Sequence, residues 1–370
     1  MTRKHVAFIA PSLGVGGAEI HLVQYANALI ARGLDVSIIV VGKDTTVASR
    51  LHGQVRVLTL DARVRSPITW LRCAQAVRRL KPDVVVGWAL WGNALAVAGR
   101  LFGSRIRTVI VELNYLPRQL EAASWVERLV VMAIVKGLYG CADVVAANSD
   151  EIIKWLKTIL GPDVVYSRQF NPMDFDRADA LALEAIPERD SQWWTGVRVL
   201  AVGRMVLAHK GFDILVKACA QLPESLEWKL ILIGSGKDEH KLKEIIDQFD
   251  LSHNIKMIGS IDNPFSYYNK ADIVVVPSRF EGFPNVLLEA MAVGRATIAA
   301  DCLSGPRELT EEGRVGVLVP VDDTDALSEA LSSLILNADR RASLGLNART
   351  STKERYSEHQ VFEALSRALG

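Results

Sequence analysis

Short runs of apolar residues alternate with longer stretches of mixed polarity along the whole chain. The runs are rich in valine and isoleucine and are continuous, which is typical of strands buried on both faces of a parallel sheet. In the first half they are Val6–Ala10, Val36–Val41, Val84–Val86, Thr108–Val111 and Val144–Ala147. In the second half they are Val197–Val202, Lys229–Ile233, Ile255–Ile258, Ile273–Val276 and Ala296–Ala299. The stretches between them, such as Ala18–Ala31 and Phe212–Leu222, have helical spacing. We therefore predict an α/β protein with doubly wound sheets.

The alternation is interrupted between residues 176 and 194, where a polar helical segment leads into Pro187-Glu-Arg-Asp-Ser-Gln. We therefore predict one Rossmann-like domain over residues 1–190 and a second over residues 191–355. Residues 356–370 have the spacing of a terminal helix, and its return to the first domain is left open. Two such domains are expected to face each other across a deep cleft at the carboxyl ends of their strands, where ligands of α/β proteins bind.

The composition is that of a soluble globular protein, with 49% apolar and 23% charged residues in a chain of 370. Residues 1–185 carry 22 Lys/Arg against 16 Asp/Glu, whereas residues 186–370 carry 21 against 26. A basic first half suits an anionic surface or a phosphorylated substrate, although an uneven solvated surface explains it equally well. The four cysteines have no disulfide or metal spacing, and no apolar run reaches the ~18 residues of a membrane span. We expect a cytoplasmic location and no nucleic-acid partner.

A strand-to-helix turn in the second half carries two glutamates, Glu281 and Glu289. Gly282 and Pro284 break regular structure, so a helix is predicted to begin near Asn285. A free helix start offers unpaired N–H groups and a partial positive charge, which suit a phosphate or a hydroxyl-rich ligand. The two carboxylates can accept hydrogen bonds from sugar hydroxyls. Spacing alone fits two solvated glutamates equally well.

Three more strand ends in the second half carry residues of the kind that bind ligands. Gly203 and Arg204 end one strand, and Lys210 precedes the next helix. Two cations there would clamp a diphosphate whose charge grows as a bond to it breaks. Glycines close the strand at Ile233-Gly-Ser-Gly236, and Ser304-Gly-Pro-Arg-Glu308 follows the last predicted strand. Basic loop residues are usually solvated, but four such strand ends together favour a ligand site.

The first strand ends in a further glycine loop, Pro11-Ser-Leu-Gly-Val-Gly16-Gly17-Ala-Glu19. Glycine lets the backbone approach a phosphate. A dinucleotide fingerprint needs glycine at positions 14, 16 and 19, and position 19 is glutamate. The sequence therefore argues against NAD binding, and a plain tight turn is an equally good interpretation of this loop.

Together these motifs resemble the retaining glycosyltransferases of family 4, which have the GT-B architecture. The resemblance covers nearly the whole chain. Its specific part is the arginine–lysine pair combined with the E-x7-E segment from Glu281 to Glu289. The Ser304–Glu308 loop is similar to that of members that build polysaccharide, lipopolysaccharide or lipid-linked oligosaccharide.

The resemblance implies a role for each matching position. Arg204 and Lys210 would bind the donor diphosphate and neutralise the leaving nucleotide, and Glu289 would bind the ribose. Glu281 would lie near the transferred sugar. It would form the catalytic group together with Arg204 and Lys210. The other implied donor-binding residues are Gly16, Gly17, Gly203, Ile258, Gly282, Phe283, Pro284, Asn285 and Val286. No metal or other cofactor is expected, because basic residues and a helix end neutralise the charge.

One departure from the family pattern lies in the first domain. Many relatives have a histidine at the end of a middle strand, where it contacts the donor sugar. Here the segment is Val109-Ile-Val-Glu112-Leu-Asn114. Glu112 and Asn114 are both candidates for that place.

The predicted reaction transfers a hexosyl or N-acetylhexosaminyl group from a nucleotide-diphosphate donor to a glycan or lipid-linked acceptor. The configuration of the anomeric carbon is expected to be retained, and UDP is the nucleotide expected by analogy. A nucleotide-sugar epimerase of GT-B fold is the first alternative, and the E-x7-E segment argues against it. A non-catalytic sugar-binding protein is the second, and it would need no diphosphate clamp.

The acceptor side is predicted to be the first domain. Basic residues gather there around a helix that contains Trp70, namely Arg63, Arg65, Arg72, Arg78, Arg79 and Lys81. They suit the inner face of an anionic membrane or the pyrophosphate of a lipid carrier, and a solvated helix face is the alternative. We interpret the amphipathic stretch Ser124–Tyr139 as a core helix rather than a membrane contact.

Overall fold

The computed structural model describes residues 3–14, 16–101, 106–121 and 123–370. The chain divides into two compact units, Met1–Pro172 with His359–Gly370, and Met173–Glu358. The first division falls earlier than the predicted boundary after residue 190. The reason is packing, because Ala182, Ile186 and Trp194 lie in one apolar cluster with strand residues of the second unit.

The first unit contains a parallel sheet of seven strands in the order β3-β2-β1-β4-β5-β6-β7. The order reverses between β1 and β4, which is the arrangement of a doubly wound sheet. The strands are β1 (His5–Ala10), β2 (Asp35–Val40), β3 (Arg56–Thr59), β4 (Val84–Trp88), β5 (Arg107–Glu112), β6 (Val144–Ala147) and β7 (Tyr166–Arg168). The helices are α1 (Gly17–Ala31), α2 (Pro67–Leu80), α3 (Ala89–Leu101), α4 (Leu116–Glu121), α5 (Trp125–Leu138) and α6 (Asp150–Leu160).

The second unit contains a parallel sheet of six strands in the order β10-β9-β8-β11-β12-β13, which reverses between β8 and β11. The strands are β8 (Val197–Val202), β9 (Trp228–Ile233), β10 (Ile255–Met257), β11 (Ile273–Val276), β12 (Ala296–Ala300) and β13 (Val317–Val319). The helices are α7 (Phe175–Ala182), α8 (Glu188–Trp193), α9 (Leu207–Lys210), α10 (Phe212–Ala220), α11 (Glu239–Gln248), α12 (Phe265–Lys270), α13 (Asn285–Ala292), α14 (Pro306–Leu309), α15 (Thr324–Leu336) and α16 (Ala338–Tyr356).

The last helix, α17 (Glu358–Leu369), belongs to the first unit. The ring of Phe362 meets Tyr25 of α1 edge to face, with 5.3 Å between ring centroids. The Arg107 guanidinium donates two hydrogen bonds of 3.1 Å to the Ala368 carbonyl. Buried aromatic pairs and charge-assisted hydrogen bonds of this kind fix the helix on α1 and the sheet. The chain thus returns to the first unit after completing the second.

Each sheet is covered on both faces by helices, as the continuous apolar strands require. In the first unit, α1 and α17 pack on one face, and α2, α3, α5 and α6 pack on the other. Among the described residues no helix is both long enough and apolar enough to cross a bilayer. The predicted α/β architecture with two doubly wound sheets is therefore confirmed.

Candidate functional site

The predicted donor-site residues of the second unit lie on the loops and short helices that follow the carboxyl ends of its strands. After β8, Arg204 lies on a loop and Lys210 ends the short helix α9, and the loop after β11 bears Glu281. These two strands are neighbours in the sheet, and the strand order reverses between them. Loops that leave a sheet at such a point diverge, and the crevice between them is the usual ligand site of an open α/β sheet.

Lys210 and Glu281 form an ion pair at this point. The lysine Nζ lies 2.6 Å from the glutamate Oε1, and the side chains are only 14% and 8% exposed. Taking one such charge out of water without a partner is costly, so each side chain holds the other in place. The two loops thereby present an ordered ammonium group at the carboxyl edge of the sheet.

His209 lies next to this pair, and no sequence motif indicates a role for it. Its ring stacks on Phe280 at 4.2 Å between centroids. Burial, followed by the positive charges of Lys210 and Arg204, lowers the pKa of the imidazole below its usual value. His209 is therefore neutral at physiological pH, and the cations of the site are lysine and the exposed Arg204.

Glu289 lies one turn inside α13, as predicted, and has a buried partner. The hydroxyl of Tyr268 donates to its Oε2 at 2.9 Å. Burial raises the pKa of the Glu289 carboxyl to about 7. Tyr268 belongs to an apolar cluster with Ile258 and Val286, so the structure groups three of the predicted nucleotide contacts on one side of the site.

The loop that contains Glu281 is braced by the loop after β12. Ser304 donates from its hydroxyl to the carbonyl of Gly282 at 2.6 Å. Gly305 has a positive φ of 102°, and a Cβ there would overlap the ring of Pro284. Phe283 is buried against Tyr356, with 5.8 Å between ring centroids. The backbone from residue 282 to 285 is thus held in one conformation before α13 begins.

Gly211 lets the Lys210 loop approach β11. Its φ is +64°, and a Cβ at this position would overlap the carbonyl oxygen of Pro277, which directly follows β11. No other residue type can bring these backbones equally close. The approach sets where Lys210 lies relative to the loop after β11.

We expect Gly211→Ala to destabilise the fold and to lower turnover more than the loss of stability explains, because Lys210 moves with the backbone. A side chain at positive φ costs about 1 kcal/mol, and the collision with Pro277 adds to that cost. Gly33→Ala is the matched control, since Gly33 also has a positive φ of 81° but would have no atom near its Cβ. Chemical denaturation and steady-state kinetics of both variants measure the difference. Equal effects in the two variants would contradict the role given to the close approach.

The predicted site residues of the first unit lie at the carboxyl edge of its own sheet. Gly16 is the extended residue before α1, and Gly17 is the first residue of that helix. Ser12 donates to the carboxylate of Glu19 at 3.1 Å in the same loop. The loop therefore places backbone N–H groups at a helix start, together with an acidic side chain.

Glu112 and Asn114, the two candidates for the missing histidine, have opposite surroundings. Glu112 is fully buried, and its oxygens accept hydrogen bonds from the Tyr139 hydroxyl at 2.6 Å and from the N–H groups of Leu113 and Asn114 at 3.0 and 3.2 Å. Burial raises the pKa of this carboxyl. The side chain of Asn114 is exposed. Of the two, Asn114 is the one that a ligand can reach.

Comparison with known families agrees with the motifs. The model described as Glycosyltransferase Family 4 matches residues 15–168, and the model described as Glycosyl transferases group 1 matches residues 195–351. Each covers most of one unit. The chain is a family 4 glycosyltransferase. The family predicted from the Arg204–Lys210 pair and the E-x7-E segment is thus confirmed.

Two relatives of this glycosyltransferase are named for a diphospho-undecaprenol-linked substrate and for lipopolysaccharide core biosynthesis. One relative is N-acetylgalactosamine-N,N'-diacetylbacillosaminyl-diphospho-undecaprenol 4-alpha-N-acetylgalactosaminyltransferase of Campylobacter jejuni. The two proteins are 28% identical over 312 residues, which cover 83% of this chain and 82% of the relative. This chain is also 23% identical over 363 residues to the lipopolysaccharide core biosynthesis glycosyltransferase LpsE of Rhizobium meliloti, 96% of each chain.

A solved structure with the same fold is that of HepE from Anabaena, which was determined with UDP and glucose. It superposes with a TM-score of 0.82 at 20% identity and covers 99% of both chains. The glycosyltransferase therefore has the predicted GT-B fold. Among the described residues, no group of three His, Cys, Asp or Glu side chains is placed to hold a metal ion.

Proposed function

We propose that this glycosyltransferase moves a sugar from a UDP-sugar to a glycan or lipid-linked acceptor, with retention of the anomeric configuration. The observation that carries the proposal is the buried Lys210–Glu281 ion pair at the point where the strand order of the second sheet reverses. It joins a cation suited to a diphosphate with a carboxylate suited to sugar hydroxyls. HepE, which was solved with UDP and glucose, supports the choice of nucleotide.

In the proposed reaction the bond between the anomeric carbon and the β-phosphate oxygen breaks, and its electron pair leaves with the nucleotide. An acceptor hydroxyl on the same face bonds to the anomeric carbon and gives its proton to the departing diphosphate. Negative charge grows on the departing diphosphate, and Lys210 and Arg204 would stabilise it there. Glu281, together with the backbone of residues 282–285, would orient the transferred sugar. No metal is required in this scheme.

The acceptor is proposed to be a glycan on a polyprenyl diphosphate or a related lipid at the inner face of the cytoplasmic membrane. The C. jejuni relative is named for a diphospho-undecaprenol-linked substrate, and LpsE is named for lipopolysaccharide core synthesis. Gly16, Gly17 and Asn114 are the first-unit residues proposed to contact the donor.

A thermal-shift panel tests the donor site. A ligand present at about 100 times its Kd adds roughly 2.7 kcal/mol to stability. We expect UDP to raise Tm, and NAD and free sugars to leave it unchanged. Lys210→Ala should lose most of the response to UDP, whereas Lys241→Ala, on α11, should keep it. Mass spectrometry of product formed from a set of sugar nucleotides, with chelator present, then identifies the donor. A Tm raised by NAD and not by UDP would overturn the proposal.

Donor affinity is expected to rise with pH through about 7. The Glu289 carboxyl has a pKa of about 7 in the free protein, and two ribose hydroxyls need its ionised form as acceptor. Below that pKa binding must also remove a proton, so affinity for UDP falls by up to about tenfold per pH unit. Calorimetric titration with UDP at pH values from about 5.5 to about 8.5, on both sides of ~7, measures how the affinity changes with pH.

Glu289→Gln is the control for this pH dependence. The amide keeps the shape of the side chain but does not titrate. Any slope that remains in this variant belongs to the phosphate of UDP, which titrates near 6. A slope unchanged by the substitution would show that Glu289 does not bind the ribose.

A further inference from the structure

Helix α5 has apolar residues on its outer side as well as on its inner side. Its inner side, with Val131, Ile134 and Val135, is buried in the core. Its outer side has Trp125 73% exposed and Leu129 61% exposed. The prediction that Ser124–Tyr139 is a core helix therefore describes only one of its two sides.

Helix α2 has a second exposed apolar surface in its first turns. Ile68 is 62% exposed and Leu71 is 60% exposed, while Cys73 and Val77 face the core. The described residues include fourteen exposed large apolar side chains, of which six lie on α2 and α5. Such a concentration marks an interaction site rather than scattered surface apolar residues. The six, which we call the docking face, are Ile68, Leu71, Trp125, Val126, Leu129 and Val130.

Contacts between the first turns of α2 and α5 show that the two parts of the docking face are neighbours. Arg65, just before α2, pairs with Glu127 of α5 at 3.2 Å. Its guanidinium also lies over the ring of Trp91, on α3, at 5.4 Å. Trp70 of α2 packs on the apolar cluster that contains the inner residues of α5. The two parts of the docking face are thus neighbours, and α3 packs against both helices.

The charges around the docking face are predominantly positive. Residues 63–81 contain six Lys/Arg and no Asp or Glu. On the α4–α5 side, Glu121 is paired with Arg118 and Glu127 with Arg65, while Arg128 and Lys136 add two further cations. A second copy of the chain docked by the same face would bring like charges together. An anionic surface instead attracts these positive charges.

The position of the docking face in the fold relates it to the acceptor. Helix α2 follows β3, and α5 runs toward β6, so both helices have their first turns at the carboxyl edge of the sheet. Asn114 and the loop with Gly16 lie at the same edge. A ligand held there and a surface that covers the docking face would therefore lie at the same edge of the first unit.

We propose that the docking face binds the surface of an anionic lipid bilayer, with its six apolar side chains in the headgroup boundary and the surrounding arginines on the lipid phosphates. Amphipathic helices of this composition lie in the plane of the interface. Bilayer binding stands on these observations alone. Its consequence, that a lipid-linked acceptor reaches the first unit without leaving the membrane, rests on the proposed function.

Vesicle co-sedimentation tests the docking face. The probes are vesicles of phosphatidylcholine alone and of phosphatidylcholine mixed with phosphatidylglycerol. We expect binding to the mixed vesicles that weakens as salt is raised. Trp125→Ser combined with Leu129→Ser should lower this binding about tenfold or more, and so should Arg72→Glu combined with Arg79→Glu.

Matched variants on the second unit serve as controls. Leu336→Ser with Leu346→Ser removes two side chains that are similarly exposed, and Lys241→Glu with Lys243→Glu reverses two charges on α11. Both should bind vesicles as the unaltered protein does. All four variants should keep their response to UDP in the thermal-shift panel.

Three results would overturn the proposal. One is no binding to the mixed vesicles at low salt, and another is equal loss of binding in the control variants. The third is a dimer in light scattering that Trp125→Ser with Leu129→Ser converts to a monomer, which would assign the face to self-association. Vesicle binding without any response to UDP would instead contradict the proposed function and leave the docking face intact.

Discussion

Lys210→Ala is expected to lower kcat by about 10²–10³-fold, the usual effect of removing one preorganised charge contact to a developing anion. Lys210 is held 2.6 Å from Glu281 in a nearly buried pair, so its ammonium is in place before the leaving group develops charge. Water cannot replace it as effectively, because solvent must reorganise during the reaction. Single-turnover kinetics with a saturating donor measure the chemical step directly.

The control for this variant must separate charge from structure. Lys210→Ala also leaves Glu281 without its partner, which costs stability, so its Tm is measured beside its rate. Lys210→Arg keeps a cation and should recover part of the activity. In a double-mutant cycle of Lys210→Ala and Glu281→Gln, the effects of the two substitutions are expected to be non-additive, because the two residues are in contact. Near-normal turnover in Lys210→Ala would reject the role of this residue in stabilising the leaving group.

The strands in the middle of each sheet could be predicted because burial on both faces demands continuous apolar runs. All ten predicted strands correspond to strands in the structure. The edge strands β3, β7 and β13 could not be predicted in this way. All of β3 is exposed, and β7 is Tyr166-Ser-Arg, so neither has the apolar pattern. Edge strands form through pairing with a neighbour, and that contact is not visible in the local sequence.

The predicted domain boundary falls later than the division between the two units because a polar segment is typical of a linker. Helices α7 and α8 are polar on their outer sides, but a few residues between them and after them anchor the segment. Ile186 and Trp194 pack in the core of the second unit, and the Trp194 indole donates to the Lys229 carbonyl at 3.0 Å. The buried residues of this segment are Ala178, Ala182, Ile186, Asp190 and Trp194. They recur every four residues, but two are alanine and one is aspartate, so the apolar periodicity is too weak to be recognised.

The candidate site could be located from the sequence, but its internal pairing could not. Strand ends and the E-x7-E spacing indicated Lys210, Glu281 and Glu289. The partner of Glu289 is Tyr268, which lies 21 residues earlier on another helix. That contact arises when α12 and α13 pack together. For the same reason His209 could not be assigned, because its neutrality results from burial and from neighbouring cations.

Glu112→Ala is expected to destabilise the first unit by about 3 kcal/mol without changing the affinity for UDP. The substitution would leave the buried Tyr139 hydroxyl and two backbone N–H groups without an acceptor, and each unsatisfied group costs about 1–3 kcal/mol. Glu112→Gln keeps one acceptor oxygen and should be less destabilising. Urea denaturation of both variants measures these changes.

The pH dependence of the free energy of unfolding tests the role of Glu112 independently. Burial raises the pKa of Glu112 above its value in the unfolded chain, so the folded state holds a proton that the unfolded state has lost. Its contribution to stability is fully present below the unfolded pKa of about 4.3 and is lost as pH rises through the raised folded value. Glu112→Gln should remove this part of the slope.

Asn114→Ala completes the comparison between the two candidates. Its side chain is exposed, so we expect unchanged stability but a lower kcat/KM for the sugar nucleotide, with binding of UDP alone retained. The site would then use Asn114 as the contact to the donor sugar and Glu112 as the residue that fixes the turn bearing it. The opposite pattern, with a stable Glu112→Ala that loses only donor specificity, would instead place the buried carboxylate in contact with the sugar.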